Sequence, residues 1–338
     1  MVPYLMKAIS YGRFDKMQPN MEVKLGKLKL TNPILSASGT VGHGDELKII
    51  DSSDFFSDIG AFVTKGITLN PKDGNKPIRL IETNYGLINA IGLQNNGVHV
   101  FFNTELPKLL TYGIPVIINI SAESIDEFEE LAIQIKEKDP HLFQGVEINV
   151  SCPNIKKGGM AFGTEPKIVK EIVIRVKKHL NNKLIITKLT PNVTDITKIA
   201  KAAIDGGTDA LSMINTVKGM AIDIRMRKPL LDNKTGGLSG PAIKPIGVRA
   251  VYECYSSINE CKNKDIPIIG IGGIMSWEDA IEYMMAGASA VGIGTALYYS
   301  FDIFKDVKSG ISKYMEKEGF ETIAEIVGKA HEKNRNTP

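Results

Sequence analysis

The stretch LIITKLTPNVTDITKIAKAAIDGGTDALSMIN, residues 184–215, decides the architecture. It opens on an apolar, β-branched run over 184–188, continues with Ile196, Ile199 and Ala203 on a 3.6-residue period, and returns to an apolar run over 210–215. Strand, helix, strand in that order is a βαβ unit, and near-continuous apolar strands are those of a parallel sheet covered on both faces. Outward from it, comparable runs occur at 34–38, 61–65, 116–120, 146–150, 268–271 and 290–293, which makes eight. Helical periods lie between them. The clearest is Ile168, Ile172, Val176 and Leu180 with Val169 and Val173 alongside; others are Phe128-Leu131-Ile135 and the stretch from Ser276 through Ala280, Tyr283 and Met284 to a capping Gly287. Eight βα units predict an α/β fold, a (β/α)8 barrel of the TIM type. A doubly wound sheet fits less well, because no Gly-x-Gly-x-x-Gly follows the first strand.

The alternation Val23-Lys24-Leu25, Leu28-Lys29-Leu30 predicts a small N-terminal hairpin. Residues 1–20 lack a period and are expected to be a disordered N-terminal extension, with residues 21–338 forming a single domain. Two excursions, 69–96 and 217–240, are too long for simple connections and are expected to be lid or binding loops.

Composition excludes several classes of protein. Hydrophobic residues at 43% and charged residues at 23% exclude a disordered or collagen-like chain. The longest apolar runs, 114–120 and 267–271, fall far short of the roughly 18 residues that cross a bilayer, so no membrane partner is expected. Forty-one basic against thirty-eight acidic residues leave a charge of +3 without a basic block, so neither is nucleic acid. Three cysteines, Cys152, Cys254 and Cys261, and no apolar leader indicate a reducing, cytoplasmic setting. Five scattered histidines and three cysteines provide no metal site, and an iron–sulfur cluster, which usually takes about four thiolates, would sit on another polypeptide.

In barrel enzymes chemistry sits at the carboxyl ends of the strands. Here those ends are Ser38, Lys65, Asn119, Asn149, Lys188, Asn215, Gly272-Gly273 and Gly294-Thr295. A single polar residue where a strand emerges into water means little. Six in register mean more, and two lysines on one mouth favour an anionic ligand, although each lysine alone could snorkel to solvent. The glycine pairs on the last two strands allow close backbone approach to phosphate oxygens, where isolated they would be turn glycines. Past strand four, Asn149-Val150-Ser151-Cys152-Pro153-Asn154 sets Cys152 on a polar loop near lysines, where a thiolate can act as base or nucleophile. Pro153 is expected to end the ladder, Gly158-Gly159 to hinge the loop, and Cys254 and Cys261 to be inert core residues.

Eight ordered motifs then carry a resemblance: NPILSASG (32–39), NAIGLQNNG (89–97), NVSCPN (149–154), KLTPNVTDI (188–196), MINT (213–216), GGLSGPAIKP (236–245), GIGGI (270–274) and GIGTA (292–296). Over residues 22–310 the chain resembles the class 1 dihydroorotate dehydrogenases. NAIGLQN and KKGGMAFGT (156–164) are similar to the type 1B catalytic subunit, which works with a partner carrying FAD and a 2Fe-2S cluster to reduce NAD.

The resemblance implies FMN on this chain, with its phosphate at Gly272, Gly273, Gly294 and Thr295. Ala37, Ser38, Gly39, Lys65, Gly66, Asn119, Asn149, Lys188, Ile214 and Gly240 would surround the rest. Dihydroorotate would contact Lys65, Asn89, Ala90, Ile91, Gly92, Leu93, Asn149, Asn154, Asn215 and Thr216. Asparagine suits a ring edge of alternating N–H and C=O groups, and lysine suits a carboxylate. Cys152 would take the C5 proton while the C6 hydride reduces FMN, with Lys65 and Lys188 as the other catalytic residues, Lys188 stabilising charge on the flavin. A homodimer of catalytic chains within a heterotetramer is implied.

The chain departs from the family pattern at Gly66, where Ala, Ser or Thr is more usual, and at Asn96, where type 1B has Pro. Competing readings are a dihydropyrimidine dehydrogenase-like flavin subunit, in which His would replace Asn154, a fumarate-linked type 1A enzyme, a flavin-free Schiff-base lyase or aldolase using Lys65 or Lys188, and a non-catalytic barrel.

Overall fold

A computed structural model describes residues 19–42, 44, 55–138, 141–151, 153–154, 160–260 and 265–332. Eight short strands are β1 (Ile34–Ser36), β2 (Phe62–Val63), β3 (Val116–Ile120), β4 (Gly145–Asn149), β5 (Leu184–Leu189), β6 (Ala210–Met213), β7 (Ile268–Ile271) and β8 (Ala290–Ile293). They form one parallel sheet in the order β1-β8-β7-β6-β5-β4-β3-β2. A Leu35–Ala61 bridge, with the Gly60 N–H donating to Ile34 O at 2.7 Å, brings the two ends of the sheet together. The result is the expected (β/α)8 barrel.

The strands are buried on both faces: every residue of β3, β5, β6, β7 and β8 is buried. That is why they read as continuous apolar runs rather than alternating ones. Outside them pack α1 (Ile125–Lys136), α2 (Pro166–His179), α3 (Ile196–Gly206), α4 (Lys244–Glu260), α5 (Trp277–Met285) and α6 (Ile303–Glu318). Local chemistry sets their ends. Ser124 caps α1 by accepting from the Glu127 N–H, Asp195 caps α3 by accepting from Thr197, and left-handed Gly207 ends α3. Val169, Ile172, Val173 and Val176 form the buried face of α2 that the period predicts.

The N-terminal hairpin pairs Val23–Leu25 with Leu28–Leu30, and its turn at Gly26 lies against Leu184, where β5 begins, and Asp209, just ahead of β6. It therefore sits at the amino ends of the strands and leaves the carboxyl ends free for a site. Of the expected extension, residues 1–18 lie outside the described residues; Asn20 donates its N–H to Glu321 O at 2.8 Å.

The two excursions are more ordered than loops and they meet. Leu80–Thr83 and Gly86–Asn89 form a hairpin that joins Gly236–Ser239 and Val217–Gly219 in a four-stranded antiparallel sheet. Beneath it Ile88, Ala90 and Leu231 make a small cluster separate from the main core. Pairing satisfies backbone groups that two long separate loops would leave to water.

Candidate active site

The register of the barrel brings the polar strand ends side by side. Lys188 lies between Asn149 on β4 and Ser212 on β6, and Asn119 on β3 lies opposite Glu147 on β4. Above them is one cavity of about 620 Å³. It is lined by Ala37, Ser38, Gly39, Lys65, Gly66, Asn119, Asn149, Lys188, Ile214, Gly240, Gly272, Gly273, Gly294 and Thr295, and also by Asn89, Ala90, Ile91, Gly92, Leu93, Asn215 and Thr216. The structure thus brings together every residue expected to face cofactor or substrate except Cys152 and Asn154, the latter described in its backbone alone.

Cys152, Gly158-Gly159 and Cys261 lie outside the described residues. The segment leading to Cys152 is anchored. Asn215 Nδ2 donates to Ser151 Oγ at 2.9 Å and to Asn149 Oδ1 at 3.2 Å, and the Ser151 N–H donates to the same Asn149 oxygen. The barrel ladder of β4 ends at Asn149, ahead of Pro153, and Pro153–Asn154 pairs antiparallel with Met160–Ala161 in a separate ribbon. A two-stranded ribbon consists of edges, where proline needs no donor. Cys254 is buried as expected, and burial pushes its thiol up to about 12, so it is inert.

The two lysines differ. Lys188 is nearly enclosed, and its Nζ stands 3.6 Å from Oε1 of Glu147, a carboxylate only 1% exposed. Its anionic partner is thus internal, which a count of strand-end residues overlooked. Lys65 lines the cavity, and among the described residues nothing pairs with its ammonium. The sequence signal for Glu147 was a lone acidic residue inside the apolar run 146–150, sharing the parity of Asn149.

Glycine shapes the opposite wall. Gly272 and Gly273 adopt φ of +128° and +69°, and a Cβ on Gly273 would approach Gly240 O and Lys244 Cβ to 2.8 Å. Only glycine fits there, so the backbone of the loop is bare toward the cavity. Tyr283 of α5, whose phenol is pushed upward in pKa by burial, supports the loop from behind by donating to Gly272 O at 2.7 Å. Across the mouth Thr295 Oγ1 donates to Ser239 Oγ at 2.8 Å, tying the start of the β8 loop to the antiparallel sheet.

Other residues enter unannounced by the sequence. Lys72 and Glu123 form an ion pair that joins the first excursion to the end of β3. Asn75 braces the 90–92 segment: its N–H donates to Ile91 O and its Nδ2 to Ala90 O. Ser121 Oγ and Asn119 Oδ1 are buried without a partner beside Gly66. A Cβ at position 66 would come within 2.9 Å of Asn119 Oδ1, so glycine there keeps that oxygen open.

The family model for dihydroorotate dehydrogenase matches residues 20–315. The chain belongs to the dihydroorotate dehydrogenase family. Its relatives in that family include the catalytic subunit of dihydroorotate dehydrogenase B (NAD(+)) from Caldicellulosiruptor bescii, 50% identical over 91% of this chain and 98% of the relative. The same subunit from Thermoanaerobacter pseudethanolicus is 49% identical over the same shares. That of Geotalea daltonii is 45% identical over 92% of this chain and 98% of its own length. As a dihydroorotate dehydrogenase family member the chain is an oxidoreductase. No helix among the described residues is long and apolar enough to cross a membrane.

Proposed function

We propose that this chain oxidises (S)-dihydroorotate to orotate in de novo pyrimidine synthesis, as the FMN-binding subunit of a type 1B enzyme. The observation that carries the reading is that a glycine-lined wall and a cluster of asparagines share one cavity, with Lys65, which has no ion-pair partner among the described residues, on the same lining. The relatives named above, catalytic subunits of an NAD(+)-linked enzyme, support the same reading.

The residues present fit FMN. The bare backbone at Gly272, Gly273 and Gly294, with the N–H of Thr295 beside it, suits a phosphate, and the buried, partnerless Asn119 Oδ1 suits a ring N–H. Ala37, Ser38, Gly39, Gly66, Asn149, Ile214, Gly240 and Lys188 would hold the rest of the cofactor. When bound, FMN supplies the acceptor for the hydride leaving C6.

Lys65 binds the substrate carboxylate, and Asn89, Asn149, Asn154, Asn215 and Thr216 match the N–H and C=O groups of its ring. Ala90, Ile91, Gly92 and Leu93 cover the ligand and exclude water. Cys152 takes the proton from C5. Asn149, Ser151 and Asn215 hold the strand that delivers it. Lys188 stabilises negative charge that develops on the cofactor.

Electrons leave through a partner carrying FAD and a 2Fe-2S cluster to NAD. Three cysteines, one the proposed base and one buried in the core, are too few for such a cluster on this chain. The assembly is a cytoplasmic heterotetramer built on a homodimer of this chain.

The test is to purify the chain alone and with its co-expressed partner, release and identify the flavin, and assay dihydroorotate against dihydrouracil with NAD or fumarate. FMN release, turnover of dihydroorotate, and NAD reduction only with the partner are expected. Turnover of dihydrouracil alone, or full NAD reduction by the isolated chain, would overturn the reading.

A further inference from the structure

One buried charge stands behind the cavity rather than in its lining. Glu147, in the middle of β4, takes the amide of Asn119 on Oε1 at 2.6 Å and the hydroxyl of Ser212 on Oε2 at 2.7 Å. Its Oε1 also faces Lys188 Nζ at 3.6 Å. Three strands, β3, β5 and β6, therefore each contribute one partner to a single carboxylate on β4.

An ionised carboxylate can only accept hydrogen bonds. The Asn119 amide must consequently turn its NH2 toward Glu147, and its Oδ1 is left as an acceptor, buried and without a partner, in a residue that lines the cavity. The acceptor character of position 119 is dictated by a residue that lies outside the cavity lining. The Lys188 contact is longer than a hydrogen bond, so the ammonium keeps donors for a ligand while its charge is partly balanced from below.

We propose that Glu147 is a positioning residue that sets the hydrogen-bonding sense of Asn119 and the effective charge of Lys188, and through them the reduction potential of the bound flavin. This rests on the FMN reading above. Inside a barrel the effective dielectric is low, so a charge just behind the cavity lining, 3.6 Å from Lys188 Nζ, is felt strongly within the cavity. Removing it leaves Lys188 unbalanced and favours the electron-rich, reduced flavin. By linkage the change in potential equals the change in relative affinity for the two redox states.

The experiment is Glu147→Gln in the flavin-loaded protein, with the midpoint potential read by dye-coupled titration and the flavin affinity by fluorescence. Reduced flavin is expected to gain about tenfold relative to oxidised flavin, an upward shift of about 30 mV for a two-electron couple. Adding Lys188→Met to Glu147→Gln should abolish the gain. A folded, flavin-bearing Glu147→Gln protein with the wild-type potential would overturn the assignment and leave the FMN reading intact. Should Glu147→Gln fail to fold, Glu147→Asp, which keeps the charge but withdraws it by one methylene, takes its place. Wild-type potential and flavin affinity in that variant would overturn it equally. A wild-type chain that releases no flavin removes both readings.

Discussion

The phenol of Tyr283 donates to the carbonyl of Gly272 at 2.7 Å, so a helix on the outside of the barrel holds the glycine loop that faces the cavity. The contact depends on a second glycine. At Gly247 in α4 an added Cβ would stand 1.9 Å from the Tyr283 hydroxyl.

Tyr283→Phe removes a hydroxyl that donates to Gly272 O at 2.7 Å and lies 3.3 Å from Ile271 O, and removes little volume. It should lower stability by about 1 kcal/mol and weaken retention of FMN several-fold. Gly247→Ala drives a methyl into the same phenol and should cost about 1–3 kcal/mol by overpacking. Chemical denaturation and flavin release during gel filtration check both, and a Tyr283→Phe protein with wild-type flavin retention would show that the loop holds itself.

The two cavity lysines should separate in their effects. Lys188→Met strips the partner from a buried carboxylate and should destabilise the fold by about 3 kcal/mol. Lys65→Met breaks no ion pair among the described residues and should leave stability within about 0.5 kcal/mol, while the KM for dihydroorotate rises. Urea midpoints and steady-state kinetics on the two variants suffice, and equal destabilisation would contradict the assignment.

Cys152→Ala should reduce turnover of dihydroorotate by about 10²- to 10⁴-fold, the usual contribution of a positioned base, without loss of bound flavin. Stopped-flow reduction of the flavin by substrate isolates that step. Unchanged reduction would make another group the base.

On the outer surface Glu129 joins α1 to α2 through His179, Lys178 and Arg175. The hydrogen bond from His179, then that from Lys178, holds its carboxyl down at about 2, below the ordinary 4.5. A depressed carboxylate pKa adds stability that is complete above about 4.5 and is lost as pH falls toward 2. Glu129→Gln should therefore flatten the acid limb of the stability profile in that window and leave the profile at neutral pH little changed in shape. Thermal midpoints across pH 2–6 would reveal it.

The architecture was legible along the chain because two-sided burial writes itself as apolar runs, and an outer helix writes itself as a 3.6-residue period. Strand ends were legible for the same reason: a polar residue interrupts each run near its carboxyl end, where Asn119 and Lys188 still lie within β3 and β5 and are buried. Hence Lys65, Asn119, Asn149, Lys188 and Asn215 could be read one at a time, and they line one cavity. Pairings across the fold could not be read. Glu147 meets Asn119, Lys188 and Ser212 through the register between four strands, which depends on how the barrel closes. The excursions looked like independent loops because Gly236–Ser239 and Gly86–Asn89 are glycine-bearing and short, and they become strands only by pairing with each other. Residue type and period are local properties, so the sequence alone determined the barrel and the residue types at its mouth. Which side chain faces which is a property of distances between distant segments, and only the tertiary structure decided it.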